Sequence, residues 1–327
     1  MSSHFSNVGP RRLHRSELAV PATSDKFFHK AAAGVADVVF LDLEDAVAPA
    51  RKIEARASAI AALGSVDWGR KTMAVRVNAL DTAWGVRDVI EVVTQAPRLD
   101  LVLLPKASSP ADVAFIDTLI GGIERELGRQ KRIGIEVLIE TTLGVANVEA
   151  IAASSPRLEA MIFGVGDYSI ELGTCGEQIG ASDPRYAVLA GDRAGARWRH
   201  PGDQYHFALA RMANACRAYG LRAIDGPFAN FGDPEAYRAS AERGAALGCE
   251  GKWAIHPSQI ALANEVFSPP ARRVAWARDI LAEIERANRD GAGAFGRDGV
   301  LIDMAVEKIA RSVLVRAELV ETAAAAS

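Results

Sequence analysis

At 327 residues, 49% of them hydrophobic, and with a formal net charge of −3, the chain can bury a large core and has no basic surplus to neutralise a nucleic-acid backbone. Its three cysteines, Cys175, Cys216 and Cys249, are odd in number and lack CxxC spacing, which argues against a disulfide framework or structural zinc and makes a reducing cytoplasm the expected compartment. Arg11, Arg12, Arg15 and Glu17 interrupt the apolar stretch that a signal peptide needs, and nowhere do about eighteen apolar residues run together, so neither secretion nor a membrane span is expected.

Along the chain, short apolar runs alternate with stretches of helical spacing. The first run, 17–20, precedes a helix predicted over 25–34; the second, 37–43, precedes one over 50–62; the third, 73–77, one over 84–95; and the fourth, 101–104, one over 110–127. The fifth, 133–139, leads to 143–154; the sixth, 160–164, to 204–219; the seventh, 221–224, to 233–247; and the eighth, 252–255, to 258–266. Ser109-Pro110 and Asp233-Pro234 are helix starts, because proline in a first turn needs no amide donor. Eight strands alternating with eight helices predict a (β/α)8 TIM barrel over residues 1–270; an open doubly wound sheet is disfavoured because no GxGxxG follows the first run. Residues 174–202, which include Trp198, exceed an ordinary loop and read as an active-site lid. From 271 to 327 a C-terminal helical extension is expected: a helix near 272–288, a hinge containing Gly291, Gly293, Gly296 and Gly299, and a last helix from about 303, with a frayed alanine-rich end at 322–327. This extension has no strand to cover and is expected to pack on a neighbouring subunit.

A TIM barrel carries its chemistry at the C-terminal ends of its strands. Here those ends carry Asp42, Glu44 and Asp45, then Arg76 and Asn78, Lys106, Glu140, Asp167, Asp225 and His256. Crowded carboxylates repel, and protonation, a cationic partner or a metal relieves them. Glu140 and Asp167 end adjacent strands and suit Mg²⁺ as hard oxygen ligands, the alternative for each being a helix cap or an arginine partner. Arg76 sits between two valines and needs an anion: either Asp42 or Glu44 in a structural pair, or a substrate oxygen. His256 serves equally as a hydrogen-bonded scaffold residue. Lys106 stands where an imine-forming aldolase could place its lysine, but a metal site makes an imine unnecessary. Nothing around the cysteines suggests an activated thiolate.

The runs Val39-Phe-Leu-Asp-Leu-Glu-Asp-Ala46, Val75-Arg-Val-Asn78, Leu104-Pro-Lys106, Glu136-Val-Leu-Ile-Glu-Thr141, Phe163-Gly-Val-Gly-Asp167 and Leu301-Ile-Asp-Met304 resemble the citrate lyase β-subunit/HpcH-HpaI aldolase superfamily. Asp225-Gly-Pro-Phe228 and Gly251-Lys-Trp-Ala-Ile-His-Pro257 are similar to its malyl-CoA lyase branch. The resemblance implies a lyase that splits a malyl-CoA-type thioester into acetyl-CoA or propionyl-CoA and glyoxylate or pyruvate. It implies Mg²⁺, replaceable by Mn²⁺, on Glu140 and Asp167, and Arg76 on the thioester or keto-acid oxygens. It further implies Lys30 near the CoA phosphates, Ile255 and His256 at the substrate, and Asp303 as the acid/base of a neighbouring subunit in a homotrimer or homohexamer. The chain departs from the branch at Ala19-Val-Pro-Ala-Thr-Ser-Asp25, where Ser24 replaces the arginine expected on CoA, leaving Lys26 or Lys30 as substitutes. A malyl-CoA thioesterase and a citrate-lyase-like subunit working with an acyl-carrier partner are the rival readings; a non-catalytic CoA-binding protein would need neither the two metal ligands nor Asp303.

Overall fold

The structure, a computed structural model, describes residues 12–174, 176–191 and 195–324. Arg11, Cys175 and the end of the alanine-rich tail at 325–327 lie outside the described residues. Two compact units are present, Met1–Asn264 and Glu265–Ser327.

In the first unit the elements run β1 (Ser16–Pro21), α1 (Asp25–Ala33), β2 (Val38–Asp42), α2 (Lys52–Ser65), β3 (Thr72–Arg76), α3 (Gly85–Gln95), β4 (Leu101–Leu104) and α4 (Pro110–Leu127). They continue with β5 (Gly134–Ile139), α5 (Thr142–Ala146), α6 (Val148–Ala152), β6 (Leu158–Phe163), α7 (Val165–Glu171), β7 (Ala187–Gly191) and β8 (Arg197–Pro201). Last come α8 (His206–Tyr219), β9 (Arg222–Asp225), α9 (Pro234–Ala246), β10 (Gly251–Ala254) and α10 (Pro257–Val266). Eight parallel strands close in the order β1-β10-β9-β6-β5-β4-β3-β2, and they are the eight runs predicted from the sequence.

The strands read as near-continuous apolar runs because both faces are covered: every residue of Val38-Val-Phe-Leu-Asp42 is buried. Inward-facing Phe40, Ala74, Leu101, Leu103, Leu138, Ala160, Ile162, Ile224 and Trp253 fill the barrel. Local signals fix the helix ends. Ser109 and Asp112 form a capping box on α4, which stops at Gly128 in the left-handed region (φ 62°), and Asp233 accepts the Ala236 N–H at the start of α9.

Three expectations need correction. The single helix over 143–154 is two short helices that meet at Asn147. Residues 165–171, to which the sequence reading assigns no element, form α7, which at seven residues is too short to show a helical period and carries a glycine in its first turn. The third lies in the second unit, where α11 (Ala271–Arg289) is followed by β11 (Phe295–Arg297), β12 (Val300–Ile302) and α12 (Met304–Ala324). The glycine-rich hinge is therefore a β-hairpin, with Asp298 (φ 50°) and Gly299 (φ 78°) in the paired left-handed conformation of a two-residue turn. Ala277, Ile280, Ile284, Ile302 and Ala310 make this unit's own core. No helix among the described residues is long and apolar enough to cross a membrane.

Candidate active site

The site begins with strand register. β2 and β3 pair so that Asp42 stands beside Arg76. Arg76 Nε donates to Asp42 Oδ1 at 2.7 Å and one terminal nitrogen to Oδ2 at 2.6 Å; the other lies 3.0 Å from Glu44 and 3.5 Å from Asp45. Arg76 is 7% exposed, and its guanidinium sits over the Phe40 and Trp253 rings, with 5.7 and 5.5 Å to the centroids. Burial opposes the charge, and Asp42 and Glu44 outweigh that opposition, so the group stays cationic. Asp42 also accepts the N–H groups of Glu44 and Ala46, which fixes the turn carrying Glu44 into the mouth.

The ends of β4, β5 and β6 supply the rest. Glu140 lies one residue beyond β5, is 5% exposed, and its Oε1 accepts the Lys106 N–H at 2.8 Å. Lys106 adopts φ 54°, the left-handed region that side-chain-bearing residues avoid. Its ammonium lies 2.8 Å from Glu44 Oε1 and 3.3 Å from Asp167 Oδ2, and Asp167 stands in the first turn of α7. Burial pushes the Glu140 carboxyl up to about 8, and the charges of Glu44 and Asp167 push the same way. Burial likewise raises Glu44, against the pull of Arg76.

Arg76, Glu140, Asp167, Asp42 and Asp45 line one cavity of about 410 Å³, together with Trp253, Ile255 and Ile179. Among the described residues five carboxylates (Asp42, Glu44, Asp45, Glu140, Asp167) therefore meet two cations, Arg76 and Lys106. That donor set fits a divalent ion: hard oxygens in excess of positive charge, two of them, on Glu140 and Asp167, facing open space. Gly164 makes room for the arrangement, because a Cβ there would overlap that of Glu140 and stand 2.5 Å from its Oε2.

The model of the HpcH/HpaI aldolase/citrate lyase family matches residues 15–257. The chain belongs to this family. It is 44% identical over 321 residues to an L-malyl-CoA/β-methylmalyl-CoA lyase of Cereibacter sphaeroides, covering 98% of this chain and 99% of that one. A (3S)-malyl-CoA thioesterase of the same species is 34% identical over 306 residues, with 94% and 95% covered. Among solved structures, CitE of Mycobacterium tuberculosis in complex with magnesium, acetoacetate and coenzyme A superposes with a TM-score of 0.70 at 30% identity, covering 94% of this chain and 98% of that one.

Within this family frame the structure brings together some of the residues singled out in the sequence and separates others. Arg76, Glu140, Asp167 and Ile255 share the cavity. His256 does not line it: the ring is exposed, stacks on Phe231 at 4.6 Å and bonds Ser258 Oγ at 2.8 Å. Lys30 is exposed in the last turn of α1, and Ser24, ahead of that helix, lines a separate groove of about 810 Å³ with Lys26 and His29. Asp303, in the second unit, caps α12 by accepting the Ala305 N–H at 2.9 Å. In the segment expected as a lid, β7 and β8 form an antiparallel hairpin that leaves Trp198 56% exposed; Ile179, earlier in the segment, reaches the cavity.

Sequence reasoning missed two features. One is the double role of Lys106, which no residue-type preference announces, since lysine is uncommon at positive φ. The other is a second polar cluster at the N-terminal ends of the strands. There His14 Nε2 lies 3.0 Å from Glu17, Arg222 bonds Glu159 at 3.0 Å and lies 3.5 Å from Glu136, and Arg12 bonds Glu159 at 2.9 Å. Charged residues inside otherwise apolar runs were the available signal for it.

Proposed function

We propose that the protein is a divalent-metal-dependent carbon–carbon lyase that splits a malyl-CoA-type 3-hydroxyacyl thioester into acetyl-CoA or propionyl-CoA and glyoxylate or pyruvate. The observation that carries this reading is the single cavity in which Glu140, Asp167 and Arg76 converge. The near-full-length identity to a malyl-CoA lyase and the magnesium and coenzyme A in the CitE structure support it.

Glu140 and Asp167 would hold Mg²⁺, or Mn²⁺ in its place, and the bound ion supplies Lewis acidity toward the hydroxy-acid end of the substrate. In the cleavage direction the hydroxyl proton is lost, the carbon–carbon bond breaks, and its electron pair passes to the thioester α-carbon as an enolate. Arg76 acts where that charge develops. It is permanently cationic, fixed by Asp42 on one side and by the Phe40 and Trp253 rings on the other, so it needs no reorganisation to meet the enolate oxygen. Asp303 of a neighbouring copy is proposed to protonate the α-carbon, which calls for a homo-oligomer such as a trimer or hexamer. Lys106 takes no covalent part: an ammonium held between Glu44 and Asp167 stays protonated and is no nucleophile. Lys30 and Lys26 are the cations proposed for the CoA phosphates.

Purified protein incubated with malyl-CoA and Mg²⁺, with and without EDTA, tests the reading. Glyoxylate formed in an EDTA-sensitive manner without free thiol is the expected result. Thiol released without glyoxylate would identify a thioesterase, the activity of the 34% identical relative.

A further inference from the structure

We propose that Lys106 is a positioning residue that regulates metal affinity, orienting one metal ligand through its backbone while its ammonium acts as a resident cation that competes with the incoming ion for the other. The inference rests on the reading of Glu140 and Asp167 as the metal ligands.

Three observations meet at this residue. Its backbone takes φ 54°, a conformation that an L side chain rarely adopts and that persists only where the surroundings hold it. That conformation delivers its N–H to Glu140 Oε1 at 2.8 Å. From the same residue the side chain runs across the mouth to Glu44 at 2.8 Å and Asp167 at 3.3 Å. One residue thus joins the ends of β2, β5 and β6, and its two functions are chemically separable. The amide contact to Glu140 survives any substitution that keeps the backbone; the ammonium is deleted by a neutral side chain.

The two interactions of the ammonium are unequal. The contact with Glu44 has hydrogen-bond length and meets a buried carboxylate, 6% exposed, whereas that with Asp167 is longer and meets a side chain 35% exposed. Asp167 is therefore the contact that yields to a divalent ion, and Glu44 the one that remains. Every arriving ion works against a unit positive charge already beside its ligand. Affinity is held below what the carboxylates alone would give, and Glu44 stays aligned on Arg76.

Titration of the full-length protein with Mn²⁺, read as loss of the free-ion EPR signal, tests this. Lys106→Met is expected to bind Mn²⁺ about tenfold more tightly than wild type, from deletion of one nearby charge discounted for solvent, while kcat falls because Glu44 loses one of its two cations and keeps only Arg76. Lys106→Arg, which retains the charge, should keep the weaker wild-type affinity. Lys106→Gly should bind as tightly as Lys106→Met and melt at a higher temperature, since glycine accepts the left-handed backbone; it carries the test if the methionine variant does not fold. Unchanged or weaker Mn²⁺ binding in folded Lys106→Met or Lys106→Gly would overturn the proposal. Wild-type binding that Glu140→Gln leaves untouched would instead overturn the metal-site reading beneath it.

Discussion

The barrel carries two clusters of charge, one at each pole, and they answer their charges differently. At the C-terminal mouth five carboxylates share two cations around open space. At the opposite pole His14, Glu17, Glu136 and Glu159, all buried, meet Arg12 and Arg222. His14, Glu17 and Glu136 could be taken for metal ligands by proximity. There, however, the Arg222 guanidinium already stands 3.3 Å from His14 Nδ1 and 3.5 Å from Glu136, where a further cation would be repelled. The lesson is that a carboxylate cluster becomes a candidate metal centre through unbalanced charge next to volume, and becomes scaffold when protein cations close it.

Breaking the two poles separately sharpens the contrast. The largest effect is expected at the mouth, where Glu140→Gln or Asp167→Asn should lower kcat by about a thousandfold or more, with melting temperature held or raised by relief of like-charge repulsion; glyoxylate release and calorimetry check both. Arg76→Met should cost activity and stability together: about a hundredfold in kcat/KM, and about 3–5 kcal/mol in denaturant unfolding, because Asp42 is left buried without its cation and Glu44 keeps only Lys106. At the closed pole Arg222→Met should cost about 3 kcal/mol by the same mechanism. Its kcat per folded molecule should stay within about twofold of wild type, and a larger loss would show that the poles are coupled.

The smallest effect concerns pH. Burial lifts Glu17 to about 8 and Glu136 to about 7 from an ordinary 4.5, so their contribution is complete below pH 4.5 and lost as pH rises through 7 to 8. His14, which burial lowers from 6.5 to about 4, contributes stability above pH 6.5 that is lost as pH falls toward 4. Glu17→Gln should therefore raise the melting temperature at pH 9 by about 2–4 °C relative to wild type and leave it lower or unchanged at pH 5.

How much could be read from the chain follows the same division. Glu140 and Asp167 were legible because each follows an apolar run, and barrel geometry sends whatever follows such a run to the mouth. Arg76 was legible as a charge needing an anion, and the structure supplies both anions offered to it, Asp42 and Glu44. His256 has an equally good position in the sequence, but Gln259 accepts the N–H groups of Ile255 and His256 and the ring turns onto Phe231, interactions that no periodicity encodes. The closed pole stayed hidden because Glu17 and Glu136 sit inside strands, where a single charge among apolar neighbours looks the same whether it faces solvent or a buried arginine. The hairpin in the second unit looked like a hinge because its glycines were read for flexibility, whereas Asp298-Gly299 is a turn of defined shape.

Gly164 carries a related consequence. Its φ of −82° is open to any residue, so nothing about its backbone calls for glycine. What it provides is an absence: the volume of one methyl group is left vacant so that the neighbouring strand's carboxylate can stand at its working height. Alanine, the mildest replacement by most scales, is here a steric wedge against Glu140, and a variant carrying it would be misjudged as conservative by anyone weighing chemical similarity instead of occupied space.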